Sequence, residues 1–83
     1  MPARSIKHAP SQITITAGAG ALAARVTRIS AVFWAPFSNV ADIVDGTSGA
    51  HIAPGGSLTL PVTDAFAFTG TNGDVLNVEE VYS

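Results

Sequence analysis

The residues of this chain that lie close enough in sequence to share a metal ion are Asp42, Asp45 and His51. A protein metal site takes about three or four ligands of suitable type. The second histidine, His8, is far away and the chain has no cysteine. The set is therefore short of ligands, and neither a metal nor another cofactor is expected. Ser57 follows Gly55-Gly56, but the run Gly-Gly-Ser-Leu-Thr lacks the Gly-x-Ser-x-Gly pattern that raises a nucleophile on a sharp elbow. Glu79 and Glu80 are adjacent in a strand-like run, so they face opposite ways and cannot act as a carboxylate pair. Gly18-Ala19-Gly20 is followed by no Lys-Ser or Lys-Thr, which a phosphate-cradling loop requires. No catalytic residue is assigned, and the chain is not expected to be an enzyme.

The elements that would position these residues read as strands. In Ser11-Gln-Ile-Thr-Ile-Thr-Ala17, Ile13 and Ile15 alternate with polar residues, the period of a half-buried strand. Residues 18–24, with two glycines, read as a loop. The longest β candidate is Arg25–Ala35, with Ile29, Ala31, Phe33 and Ala35 on one face and Val26, Arg28, Ser30, Val32 and Trp34 on the other. Pro36 ends it, having no N–H to donate. Val40–Gly46 reads as a short strand closed by Asp45-Gly46, and Ala50–Ala53 as a short β piece. Ala53–Ser57 is expected to be a turn, with Pro54 setting φ and Gly55 or Gly56 supplying a positive φ. Ser57–Val62 follows, with Leu58, Leu60 and Val62 on one face and Pro61 marking a sheet edge. Phe66–Gly70 and Val75–Ser83 flank an Asn72-Gly73 hairpin signal.

This spacing points to an all-β fold, a small antiparallel β-sandwich or barrel of about six or seven short strands. Its expected core is Ile13, Ile15, Ile29, Phe33, Leu58, Leu60, Phe66, Phe68, Leu76 and Val78. Residues 12–83 form the single domain. Residues 1–11, with two prolines, two cations, a histidine and a lone Ile6, read as an extended N-terminal arm, ordered by contact with another chain.

A chain of 83 residues buries only about 60–65% of the surface its unfolded form exposes. Charged residues make up 12% and hydrophobic residues 47%, a surface poor in charge by the standard of free domains. With no disulfide to staple it, such a chain is expected to stabilise itself against other protein, its own copies included. No apolar run is long enough to span a membrane, and residues 1–11 lack the apolar core of a signal peptide. The expectation is a chain made in the cytoplasm that stays soluble or leaves inside a larger particle. All four cations, Arg4, Lys7, Arg25 and Arg28, precede all six acids. A net charge of −2 makes no basic patch for nucleic acid. The sorting suggests a basic edge meeting an acidic surface on a neighbour. Trp34 and Phe37, either side of Ala35-Pro36, are the expected aromatic anchors of an interface.

The run from Ile52 to Tyr82 (I-A-P-G-G-S, an alternating strand, F-A-F-T-G, a Gly turn and a final Val-rich strand) resembles a recurring ending in small virion proteins of tailed bacteriophages. The resemblance implies a capsid decoration or cement protein, or a head-fibre or tail accessory. It implies a homotrimer bound to the major capsid protein or another virion protein, with Arg4, Lys7, Arg25, Arg28, Trp34 and Phe37 at the interface and no part for membrane or nucleic acid. The alternative is a tail-fibre module binding a receptor or carbohydrate, with Trp34, Asn39 and Asp42 as contacts.

Overall fold

The computed structural model describes residues 6–61 and 63–83. The chain forms β1 (Lys7–Thr14), β2 (Ala19–Leu22), β3 (Arg28–Trp34), β4 (Ile43–Asp45), β5 (His51–Ile52), β6 (Ser57–Leu60), β7 (Phe66–Thr69) and β8 (Val75–Tyr82). They build two antiparallel four-stranded sheets, sheet A in the order β1-β8-β3-β6 and sheet B in the order β2-β7-β4-β5. The fold is all-β and sandwich-like, with eight strands among the described residues rather than six or seven. Among those residues no helix is long and apolar enough to cross a membrane.

Alternation along the strands decides what lies between the sheets. Ile13, Phe33, Leu76 and Val78 of sheet A meet Ile43, Ile52, Phe66 and Phe68 of sheet B, with Ile15 at the crossing between them, and all are buried. Phe33 is the hub: its ring centroid lies 5.2 Å from that of Phe66, edge-on, and 5.1 Å from that of Phe68, separations at which aromatic pairs attract. Leu58 and Leu60 reach the core only in part, because β6 is an edge strand. Pro61 directly follows that edge, as its missing donor requires.

Three expectations change. First, the expected arm does not stop short of the domain: Lys7–Ser11 belong to β1, which pairs with β8 from Lys7↔Tyr82 to Thr14↔Val75 within the same chain. Pro10 is tolerated because β1 is the other edge of sheet A. Residues 1–5, Arg4 among them, and Val62 lie outside the described residues. Second, Ala19–Leu22 form a strand, not a loop. Gly20 is there for space: a Cβ on it would come within 2.6 Å of the Ile13 Cγ2. The turn into this strand, Ala17-Gly18, has positive φ at both residues (54° and 80°), the twist that suits a two-residue hairpin.

Third, Ile29 is not core. The pairing of β3 with β8 steps from Arg28↔Tyr82 to Ser30↔Val81, so Ile29 is the extra residue of a β-bulge. The bulge reverses the alternation on one side of it. Ile29 is turned out, 39% exposed, and Arg28 is turned in, 4% exposed. The Arg28 guanidinium donates through Nε to Glu80 Oε2 at 2.9 Å and through Nη1 to the Asp64 carbonyl at 2.9 Å. Nη2 lies 2.9 Å from the same Glu80 oxygen and donates to the Ala23 carbonyl. Glu80 stands on β8 in sheet A, whereas Ala23 and Asp64 sit on the chain segments that leave β2 and enter β7 in sheet B. One side chain thus clamps both sheets at one end.

Removing one partner of a buried ion pair leaves the other charge without compensation, at about 3–5 kcal/mol. Arg28→Ala is therefore expected to cost that much in chemical denaturation. The double variant Arg28→Met, Glu80→Leu should recover a large part of the loss. A single-variant cost near zero would mean that the clamp is not holding the sheets.

Candidate functional site

Of the three candidate metal ligands, the structure brings Asp42 and His51 together and turns Asp45 away. His51 Nδ1 lies 3.4 Å from Asp42 Oδ2, and both side chains are well exposed. Asp45 turns the other way and is 2% exposed. Its Oδ1 accepts the Thr47 N–H at 3.1 Å and its Oδ2 accepts the Ser48 hydroxyl at 2.6 Å, so it shapes the β4–β5 turn. Among the described residues no three His, Cys, Asp or Glu gather as metal ligands. His8 Nδ1 pairs with Glu79 Oε1 at 3.1 Å, so each imidazole faces a carboxylate and neither pair includes a serine. Glu79 and Glu80 do face opposite sides of sheet A, Glu80 buried and Glu79 out.

Part of the charge sorting is met within the molecule, where Arg25 and Arg28 both face Glu80. β1 and β3 flank β8 in sheet A, which sets N-terminal cations beside C-terminal acids. Arg25 lies 3.5 Å from Glu80 and its guanidinium sits 4.0 Å above the Tyr82 ring. Arg28 is not at the surface, since its guanidinium is fully enclosed. Asp45, Asp74 and Glu80, half of the acids, are buried. Lys7 is exposed at the start of β1. Arg28 begins β3 and Trp34 ends it, roughly 20 Å apart at the strand rise, so the enclosed cation and the indole share no surface.

The two aromatics occupy different kinds of surface. Phe37 lies on the loop from β3 to β4 and is 87% exposed, and Val40 on the same loop is 74% exposed. The loop is pinned from below. Asn39 Nδ2 donates to the Val75 carbonyl at 2.8 Å and Asn39 Oδ1 accepts the Val75 N–H at 3.0 Å, as a paired strand would. The Asp74 carboxylate accepts the N–H groups of Val40 and Ala41. With Asn39 drawn in, Phe37 and Val40 are left outside. Asn39, expected as a glycan contact, is 8% exposed and its amide is spent on Val75. Val40 escaped notice in the sequence because nothing there reveals that Asn39 would be the inward residue.

Trp34 is on the outer face of sheet A, 40% exposed. Register sets it in a row across all four strands: Gln12 opposite Asn77, Asn77 opposite Trp34, Trp34 opposite Ser57. Gln12 Nε2 donates to Asn77 Oδ1 at 3.0 Å. Gln12 and Asn77 carry no motif, and only the pairing of β1 with β8 brings them beside the indole. The described residues form no cleft of ligand size. No family model, curated protein or solved structure matches the chain.

The Ala53–Ser57 corner supports the Phe37 loop. The Gly56 N–H donates to the Ala53 carbonyl at 2.7 Å, and Gly55 has φ 82°. With Pro54 ahead of it this is a type II turn. Gly55 N–H and Gly56 C=O both bond to Ala35, a glycine bulge that bends the chain into β6. A Cβ on Gly55 would lie 2.3 Å from the Phe37 ring. Ser57 faces out beside Trp34 with no part in the turn. Ser57→Ala should therefore shift stability by no more than about 0.5 kcal/mol. Gly55→Val should cost about 1–2 kcal/mol, the penalty of an L-residue in the left-handed region, while the exposed Phe37 ring swings aside. Equal melting temperatures for the two variants would remove the turn from the account.

Proposed function

We propose that this chain is a structural, noncatalytic protein of a tailed-phage virion that binds the capsid shell and bridges neighbouring subunits. The observation that carries the reading is the pinned loop with Phe37 and Val40 outermost. Asn39, Asp74 and the Gly55 seat fix that loop, so little entropy is lost when a partner covers it. An exposed Phe on a pinned backbone offers roughly 1.5–3 kcal/mol on burial. A rigid apolar tip on a small sandwich without a cleft suits contact with protein better than catalysis. The resemblance of residues 52–82 to small virion proteins supplies the setting: the major capsid protein as partner and a homotrimer as the bound form. Lys7 and the exposed part of Arg25 are cations left for a neighbour's acids, and Arg4 is assigned the same role from its sequence. Arg28 has no such part, because it is enclosed. Stabilisation would be noncovalent, each copy adding buried area across a subunit boundary.

Purified particles from the source should contain the chain in many copies per shell, measurable by quantitative mass spectrometry. The isolated chain should co-sediment with shells stripped of it. Phe37→Ala is expected to weaken that binding by about 2 kcal/mol, close to thirtyfold, as for an interface anchor. Its own unfolding midpoint should hardly move, since the ring is already in water. Absence of the chain from particles, or undiminished binding by Phe37→Ala, would overturn this reading.

A further inference from the structure

The outer face of sheet A has a chemistry different from that of the loop tip. Trp34 stands on β3, an interior strand, so paired backbone on both sides fixes its position. The neighbours in its row are amides and a hydroxyl. In the next row Pro10, Glu79, Val32 and Thr59 follow one another across the sheet. Asn77 Oδ1 already accepts from Gln12. That leaves the Asn77 amide N–H donors and the Gln12 carbonyl oxygen, a donor and an acceptor on hydrogen-bonded neighbours, for a ligand at this face. Glu79 is the one carboxylate in the two rows and is paired to His8, and no Lys or Arg stands in either row.

We infer that this face binds a neutral carbohydrate, with Trp34 as the stacking platform and Asn77, Gln12, Ser57 and Thr59 as hydrogen-bonding partners of sugar hydroxyls. A pyranose ring has an apolar face of C–H groups and a rim of hydroxyls, each both donor and acceptor. An indole takes the first, and adjacent amide donor and acceptor groups take the second. An anionic ligand finds no cation in these rows. A protein partner, including a second copy, would cover Trp34 only by also burying two amides, two hydroxyls and Glu79. Each of these costs free energy unless a matching group meets it. A hydroxyl-rich ligand meets them by its composition. The face is flat, so a single site holds weakly, in the millimolar range of Kd. Many copies on one particle would raise the effective affinity. The inference does not depend on the shell reading, since it uses a different surface and different residues.

Trp34 is the chain's single tryptophan, so its fluorescence reports on this site alone. The purified full chain is titrated with short oligomers of β-1,4-linked glucose, α-1,4-linked glucose, β-1,4-linked N-acetylglucosamine and α-linked mannose, each into the millimolar range. At least one should give a saturable change in emission that persists at high salt. Asn77→Ala, an exposed-face change that keeps the tryptophan, should weaken that binding roughly three- to tenfold. Phe37→Ala should leave it unchanged while weakening shell binding, which separates failure of one reading from failure of the other. No saturable change with any of the four sugars overturns the inference. So does unchanged binding by Asn77→Ala, or an emission shift that appears on concentrating the chain without sugar, which would assign the face to a second copy.

Discussion

The two sheets are held together at one end by an arginine that cannot reach water. Arg28 contacts Glu80 in sheet A and backbone carbonyls on the segments bordering sheet B, and its guanidinium lies 5.5 Å from the Phe66 ring. At this end apolar packing gives way to a charged group that must be fully hydrogen-bonded to stay inside. Much else follows from it. β3 must bulge at Ile29 to turn Arg28 inward. β8 must present Glu80 on its inner face, in phase with Leu76 and Val78. The segments around Ala23 and Asp64 must approach closely enough to offer their carbonyls.

The opposite end is organised by a smaller set of polar contacts of the same logic. Asn39 and Asp74 satisfy backbone groups of the β3–β4 loop and the start of β8, and no buried side-chain polar atom among the described residues is left without a partner. Between the two ends lie the three core phenylalanines, Phe33, Phe66 and Phe68. A small sandwich has little core to spend, so its ends are fixed by directional bonds rather than by added apolar area.

The fold was largely legible because alternation is a local property. Phe33, Phe66, Phe68, Leu76 and Val78 declared their faces by period alone, and Pro54-Gly55 declared its turn. The failures have a common cause. Ile29 obeyed the alternation until a bulge broke it, and a bulge has no local signature when the inward residue is an arginine. Gly20 looked like a breaker, whereas its lack of a side chain answers the approach of Ile13 from another strand. Residues 7–11 looked too polar for a domain, but an edge strand needs only its backbone paired. The surface was less legible. Trp34 and Phe37 could be picked out by type, but their neighbours Asn77, Gln12 and Val40 depend on register and on the inward turn of Asn39. The charge sorting hid that Arg28 would be spent inside the molecule, because β8 lies between β1 and β3 and brings Glu80 to it.

The edges of sheet A bear on how crowded copies behave. β1 carries Pro10 within it and β6 runs into Pro61, while in sheet B the outermost strands are the four-residue β2 and the two-residue β5. A proline presents no donor to an incoming strand, and a two-residue edge offers too little ladder to template one. Lateral growth of either sheet into a ribbon is thereby blunted. A chain poor in charge and dense in β structure is otherwise a candidate for fibre formation at high concentration, and here the protection lies in where the backbone stops donating rather than in electrostatic repulsion.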